Sequence, residues 1–261
     1  MANYSVISLY SGSKGNSVLI ESASARILID AGKSARSLCA ALVGIGRTID
    51  DIDAIFITHE HTDHVGSLEV LLKKHAIPVH IVSASAERMT RNKCFCHEEL
   101  IIRHAPVFSV CVGNMTVTSF PTPHDSEFSV GYRIEVRDGE SSAFVGYATD
   151  IGHVTDEIKS ALTGCESIVL EANHDVGMLM DGAYPYDLKL RIRSDRGHLS
   201  NEDCAALSKE LCAKGTRNIL LAHLSEENNA PTLAYNTVSD ALADAEVNLK
   251  VASQYETVKL L

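Results

Sequence analysis

The 261-residue sequence has no uninterrupted apolar run of about 18 residues, so it gives no sign of a membrane-spanning helix. Its start, Met1-Ala2-Asn3-Tyr4-Ser5-Val6-Ile7-Ser8-Leu9-Tyr10, lacks a basic segment followed by an apolar one and reads as a strand, not a signal peptide. Cys-x-x-Cys is missing as well. The seven cysteines (Cys39, Cys94, Cys96, Cys111, Cys165, Cys204 and Cys212) are odd in number and scattered, as expected of reduced thiols in a cytoplasmic protein. Positive charge is in deficit: the formal net charge of −11 argues against loose, nonspecific attraction to nucleic acid. It does not exclude a nuclease, because bound metal ions offset local acidity. Linkers, low-complexity tracts and short repeats are absent, so one domain over residues 1–261 is expected. With 45% hydrophobic residues and a mean hydropathy near zero, the chain can bury a sizeable core.

What the sequence does have is concentrated in Thr58-His59-Glu60-His61-Thr62-Asp63-His64. His59 and His61 are two apart and can point to one side of an extended segment, while Asp63 and His64 must face elsewhere. One ion cannot easily take all four from so short a loop. Two adjacent ions can, each completed from further along the chain. Neutral imidazole and carboxylate suit zinc and similar divalent ions. The apolar run Asp53 to Thr58 reads as a buried strand, and Val65 to His75 as an amphipathic helix. The cluster therefore falls on a strand-to-helix loop, where α/β proteins tend to place function. A second grouping, Cys94-Phe95-Cys96-His97, has no evident fourth ligand and is better read as an irregular loop.

Strands are expected at Val6–Tyr10, Val18–Ile20, Arg26–Ile29, Pro78–Val82, Val107–Val112, Met115–Phe120, Phe128–Val136, Ala143–Ala148, Ser167–Leu170, Asn218–Ala222 and, as the last element, Val247–Ala252. Helices are expected at Ser34–Val43, Ala84–Arg91, Val154–Leu162, Glu202–Ala213 and over most of Asn229–Ala243; Met178–Arg193 reads as helical with an interruption near Tyr184-Pro185. Residues 92–103 read as irregular. Two blocks, each running from strands to helices, fit an α/β fold: a four-layer αβ/βα sandwich. The turn Ser11-Gly12-Ser13-Lys14-Gly15-Asn16-Ser17 is rich in backbone N–H groups and reads equally as an anion cradle or a plain hairpin connection. His124, Asp150 and His223 each stand just past a predicted strand. Asp30 ends another, placed either to cap the next helix or to orient a ligand.

The pattern His59-x-His61-x-Asp63-His64 after an apolar strand resembles the signature of the metallo-β-lactamase superfamily, and the downstream residues complete it. The resemblance implies that His59, His61 and His124 hold one ion, that Asp63, His64 and His223 hold the other, and that Asp150 bridges them. It favours Asp30 as a residue that orients a ligand. A two-ion site of this kind activates water for hydrolysis. The segment Gly197-His198-Leu199-Ser200-Asn201, with Ile219 to Ser225, is similar to the C-terminal part of tRNase Z-type phosphodiesterases. This implies that His198 and Glu171 handle the leaving-group proton or the phosphate. Phosphodiester cleavage expels an alkoxide, so a positioned acid is valuable there. The helix after Ser200 is expected to add donor N–H groups. Ser11 to Ser17, Glu171-Ala172-Asn173-His174-Asp175, Tyr184-Pro185 and Gly197 to Asn201 look like the YycJ/WalJ-type branch over essentially the full length.

That branch implies a nucleic-acid-directed hydrolase, with 5′-exonuclease action on DNA the leading assignment and His174 near the metals or the substrate. No long insertion of the kind expected for gripping tRNA is present. The alternative is a glyoxalase-type thioesterase or lactonase using the same two ions. A non-catalytic binding module fits poorly with an intact ligand set. The ions are zinc or manganese, the choice between them left open, as is a homodimer.

Overall fold

The computed structural model of the chain describes residues 3–91, 97–242 and 245–261. The first sheet contains β1 (Tyr4–Tyr10), β2 (Ser17–Ser22), β3 (Arg26–Ile29), β4 (Ala54–Phe56), β5 (Val79–Val82) and β6 (Ile101–His104). The second contains β7 (Ser109–Val112), β8 (Met115–Thr122), β9 (Ser129–Asp138), β10 (Ser141–Ala148), β11 (Ser167–Glu171), β12 (Asn218–Ala222) and β13 (Asn248–Val251). A short last strand, β14 (Val258–Lys259), crosses back to pair antiparallel with β1. Each sheet begins as an antiparallel meander and continues as parallel strands joined through helices.

Strand alternation sorts the side chains into layers. In β3, Ile27 and Ile29 enter the core between the sheets, while Leu28 packs outward. In β12, Leu220 faces inward and Ile219 and Leu221 outward. The outer face of the first sheet is covered by α1 (Ala35–Gly44), α2 (Thr62–Val65), α3 (Leu68–Leu72) and α4 (Ser83–Thr90) through Leu38, Leu42, Val65, Leu68 and Met89. The second sheet is covered by α5 (Asp156–Leu162), α8 (Asn201–Cys212) and α9 (Pro231–Ala241), with α6 (Val176–Asp181) and α7 (Tyr186–Ile192) between α5 and α8 in the chain. The result is the αβ/βα sandwich expected from the order of elements.

Three expectations need correction. The helix after the histidine cluster starts at Thr62, not Val65, and breaks at Gly66-Ser67, where both the N–H and the hydroxyl of Ser67 bond to the Ala31 carbonyl. Residues 101–104 form a parallel edge strand in what reads as irregular sequence. The strand at 248–251 is not the last element. Among the described residues no helix is long and apolar enough to cross a membrane, and Cys39, Cys111, Cys165, Cys204 and Cys212 are unpaired. The Cys94-Phe95-Cys96 grouping lies outside the described residues.

One glycine brings the metal loop against β3. A Cβ on Gly32 would lie 1.9 Å from the Asp63 carbonyl oxygen and 2.6 Å from the Asn16 amide nitrogen. Gly32→Ala is therefore expected to lower stability by about 1–3 kcal/mol through overpacking, and to reduce bound metal by displacing Asp63. Denaturant unfolding beside metal analysis checks both.

Candidate metal centre

Every strand that carries a site residue ends at the same edge of the sandwich. At three of these ends the chain turns through a left-handed conformation that side chains other than glycine seldom adopt: Asp30 (φ 63°), Asp150 (φ 57°) and His223 (φ 57°). Neighbouring groups enforce each turn. The His223 amide donates to Ser11 Oγ at 2.8 Å and its carbonyl accepts from Asn173 Nδ2 at 2.8 Å. The Asp150 loop is held by Ile151 N–H on Glu171 Oε2 (2.7 Å) and Gly152 N–H on the Pro123 carbonyl (2.8 Å). The latter also joins Asp150 to the loop that carries His124.

The histidines are oriented by what their Nδ1 atoms touch. Asp30, fully buried, accepts from the Thr58 amide (2.8 Å) and hydroxyl (3.0 Å) and from His64 Nδ1 (2.8 Å). With its proton given to Asp30, the Thr58 hydroxyl accepts from His59 Nδ1 at 3.0 Å. One buried carboxylate thus fixes two imidazoles with Nε2 inward. His124 Nδ1 donates to the Gly197 carbonyl (3.1 Å), and His223 Nδ1 to Glu171 Oε1 (2.9 Å). Such partners for the outer nitrogen are a general feature of metal-ligating histidine.

The inward atoms then meet. His59, His61 and His124 bring ligand atoms within 4.8 Å of one another, and so do Asp63, His64 and His223. Asp150 lies between the groups, with Oδ1 3.6 Å from His124 Nε2 and Oδ2 3.4 Å from His64 Nε2. His59 Nε2, His223 Nε2 and Asp150 Oδ2 are buried without a hydrogen-bond partner. Three such orphans within one buried cluster are costly unless cations occupy it, so the donor set fits divalent metal.

Glu171 and His198 adjoin these groups, with ligand-type atoms within 4.8 Å of Asp150 and His223. Glu171 is fully buried; its Oε1 takes His198 Nδ1 (2.8 Å) as well as His223, and its Oε2 takes the Ile151 and Leu199 amides. Ser200 caps α8 by accepting the Asp203 amide, and the Asn201 amide bonds to the His174 carbonyl, so the first turn of α8 has few N–H groups left for a ligand. His174 is buried, its Nδ1 unpartnered, and it does not line the cleft over the cluster. The loop 11–17 is a strut more than an anion cradle. Asn16 closes it by accepting the Gly12 amide, and its Nδ2 reaches Asp63 Oδ2 and His64 Nε2, both at 3.2 Å. The sequence signal for Asn16 is its position at the end of the glycine-rich turn.

Charge in the cluster is tightly paired. Burial alone would lower His223, but Asp150, Asp63 and Glu171 hold it up at about 10. Burial likewise opposes charge on His64, and Asp63, Asp30 and Asp150 keep it well above the ordinary value. Glu171, despite burial, is held down at about 2 by His198 and His223. A metal ion must displace the protons on His223 and His64. Apparent metal affinity is therefore expected to rise with pH from 6 to 8.5, by about tenfold per pH unit for each proton displaced, with proton release on adding zinc to metal-free protein at pH 7.5. Calorimetry in buffers of different ionisation enthalpy measures this; binding without proton release would contradict it.

A cleft of about 250 Å³ opens over the cluster, lined by His61, Asp63, Asp150, His198 and His223 on one side and Tyr184, Leu188 and Ile192 on another. A family model described as a beta-lactamase superfamily domain matches residues 25–223. A Streptococcus pneumoniae protein named Exodeoxyribonuclease WalJ is 35% identical over 252 residues, which is 95% of this chain and 91% of that protein. A Bacillus anthracis protein named Exodeoxyribonuclease YycJ is 35% identical over 245 residues, covering 90% and 88%. The metallo-β-lactamase fold protein YhfI from Bacillus subtilis matches with a TM-score of 0.71 at 19% identity over 99% of this chain and 100% of that one, a likeness of fold alone. By fold, by the extent of the family match and by its full-length relatives, the chain belongs to the beta-lactamase superfamily and has the metallo-β-lactamase fold.

Proposed function

We propose that the protein is a single-domain, two-ion phosphodiesterase that removes nucleotides from nucleic acid ends, with DNA the leading substrate and zinc or manganese the ions. The full-length relatives named as exodeoxyribonucleases support the substrate. The observation that carries the reaction type is the His198–Glu171 pair beside the His/Asp cluster. When bound, the ions supply an activated water and neutralise charge on the reacting phosphate. In this reading His59, His61 and His124 hold one ion and Asp63, His64 and His223 the other. Asp150 serves both.

The rest of the chemistry belongs to the side chains. His198 is 23% exposed at the cleft wall. Glu171 can only accept, so His198 Nδ1 carries a proton and Nε2 is left to face the cleft. Burial opposes charge on His198, but Glu171 and Asp150 raise its pKa above the ordinary value. A protonated Nε2 can then pass its proton to the departing oxygen as the P–O bond breaks. Glu171 is a positioning residue, since both its oxygens are committed to the protein. Gly197 lets His198 approach: a Cβ there would sit 2.0 Å from the Ile192 carbonyl oxygen.

Hydrolysis of bis(p-nitrophenyl) phosphate beside an acyl-thioester by metal-loaded protein tests the reading. Turnover of the phosphodiester supports it. Turnover of the thioester alone would transfer the site to the thioesterase or lactonase class.

A further inference from the structure

The cleft over the metals does not end at its far wall. A second groove, about 1080 Å³, shares His61, Asp63, Asp125 and Arg191 with it, so the two form one continuous trough. Beyond the shared residues the groove is lined by Arg88, Met89, Ser126, Glu127 and Arg196. Three arginines thus reach it from three separate places: α4, α7 and the loop before α8.

Their states differ in a way that matters for binding. Arg191 is neutralised by Asp125, which accepts from its Nε at 2.6 Å. Arg196 is held by neutral acceptors, the His124 carbonyl (2.9 Å) and the Ser126 carbonyl (3.1 Å), so its orientation is fixed, and it forms no ion pair to a carboxylate among the described residues. Arg88 is exposed and has no acidic partner among the described residues. Glu60 and Glu127 also line the groove, and Glu60 Oε1 is occupied by the Glu127 amide. In a chain of net charge −11, attraction to a polyanion has to come from such local cations.

We propose that this groove is the track for the sugar–phosphate backbone beyond the nucleotide being cleaved, with Arg88 and Arg196 contacting phosphates. The proposal rests on the phosphodiesterase reading. A substrate one nucleotide long needs only the cleft over the metals; a polymer has to leave it, and the groove is an exit that shares the metal-facing His61 and Asp63 with the cleft. Arg196 also ties this track to the His124 loop, which makes Arg88 the cleaner residue to change.

The test compares wild type, Arg88→Ala and Arg88→Lys, at matched metal content, on end-labelled DNA and on bis(p-nitrophenyl) phosphate. For Arg88→Ala the ratio of kcat/KM on DNA to that on the small diester is expected to fall about fivefold or more, chiefly through KM. The slope of log affinity against log salt should become shallower by about one. Arg88→Lys should restore the slope. An unchanged ratio and slope in Arg88→Ala, with wild type degrading DNA, would overturn the track and leave the phosphodiesterase reading in place. Failure of wild type on DNA would instead remove the reading on which the track depends.

Discussion

Asp150→Asn should leave a folded protein that holds less than its full complement of metal and turns over at least ~10³-fold more slowly, since several kcal/mol of transition-state stabilisation is at stake at a metal site. The two carboxylate oxygens reach toward both groups of histidines, 3.6 Å from His124 Nε2 and 3.4 Å from His64 Nε2. An amide of the same shape keeps the packing but removes the negative charge. The left-handed backbone at position 150 is one that asparagine tolerates, so loss of metal can be separated from loss of fold. Elemental analysis after gel filtration, with thermal unfolding of the metal-free forms as the control, reads the effect. Full metal content with near-normal turnover would mean that Asp150 is not shared by the ions.

His198→Ala is expected to behave differently. Its imidazole is anchored through Nδ1 to Glu171, at 2.8 Å, and is absent from the two histidine groups assigned to the ions. Metal content should therefore stay at the wild-type level while kcat on DNA falls by about 10²–10⁴, the usual range for a lost general acid. The leaving group provides the diagnostic. DNA cleavage expels an alkoxide that needs a proton, whereas p-nitrophenolate leaves readily without one. The loss on bis(p-nitrophenyl) phosphate should be far smaller than on DNA. Equal losses on both substrates would make His198 a positioning residue.

The part of this site that could be read from sequence is the part written locally. His59, His61, Asp63 and His64 lie within six residues, and strand ends at 120, 148 and 222 could be placed from apolar runs, which put His124, Asp150 and His223 just past them for the superfamily resemblance to group. What holds them could not be read. The acceptor for His124 is a carbonyl 73 residues away, the carboxylate that orients His64 is 34 residues away, and Ser11 reaches His223 across 212. The Asp30–His64 pair forms when β3 and β4 pair within the first sheet, His124–Gly197 forms within the part of the chain that builds the second sheet, and Ser11–His223 forms only once the two sheets close on each other. Sequence also gave no warning that Asp30, Asp150 and His223 would take left-handed turns, because their neighbours impose that conformation against local preference. The break at Gly66 and the pairing of β14 with β1 are tertiary in the same sense: both are decided by what the segment meets.

End-labelled DNA incubated with wild type and with His198→Ala, carrying equal metal by elemental analysis, tests the central claim most directly. The account predicts stepwise shortening from the labelled strand's end by wild type and little or none by the variant. If both proteins hold their metal and neither shortens the strand, the claim that this centre cuts nucleic acid is contradicted.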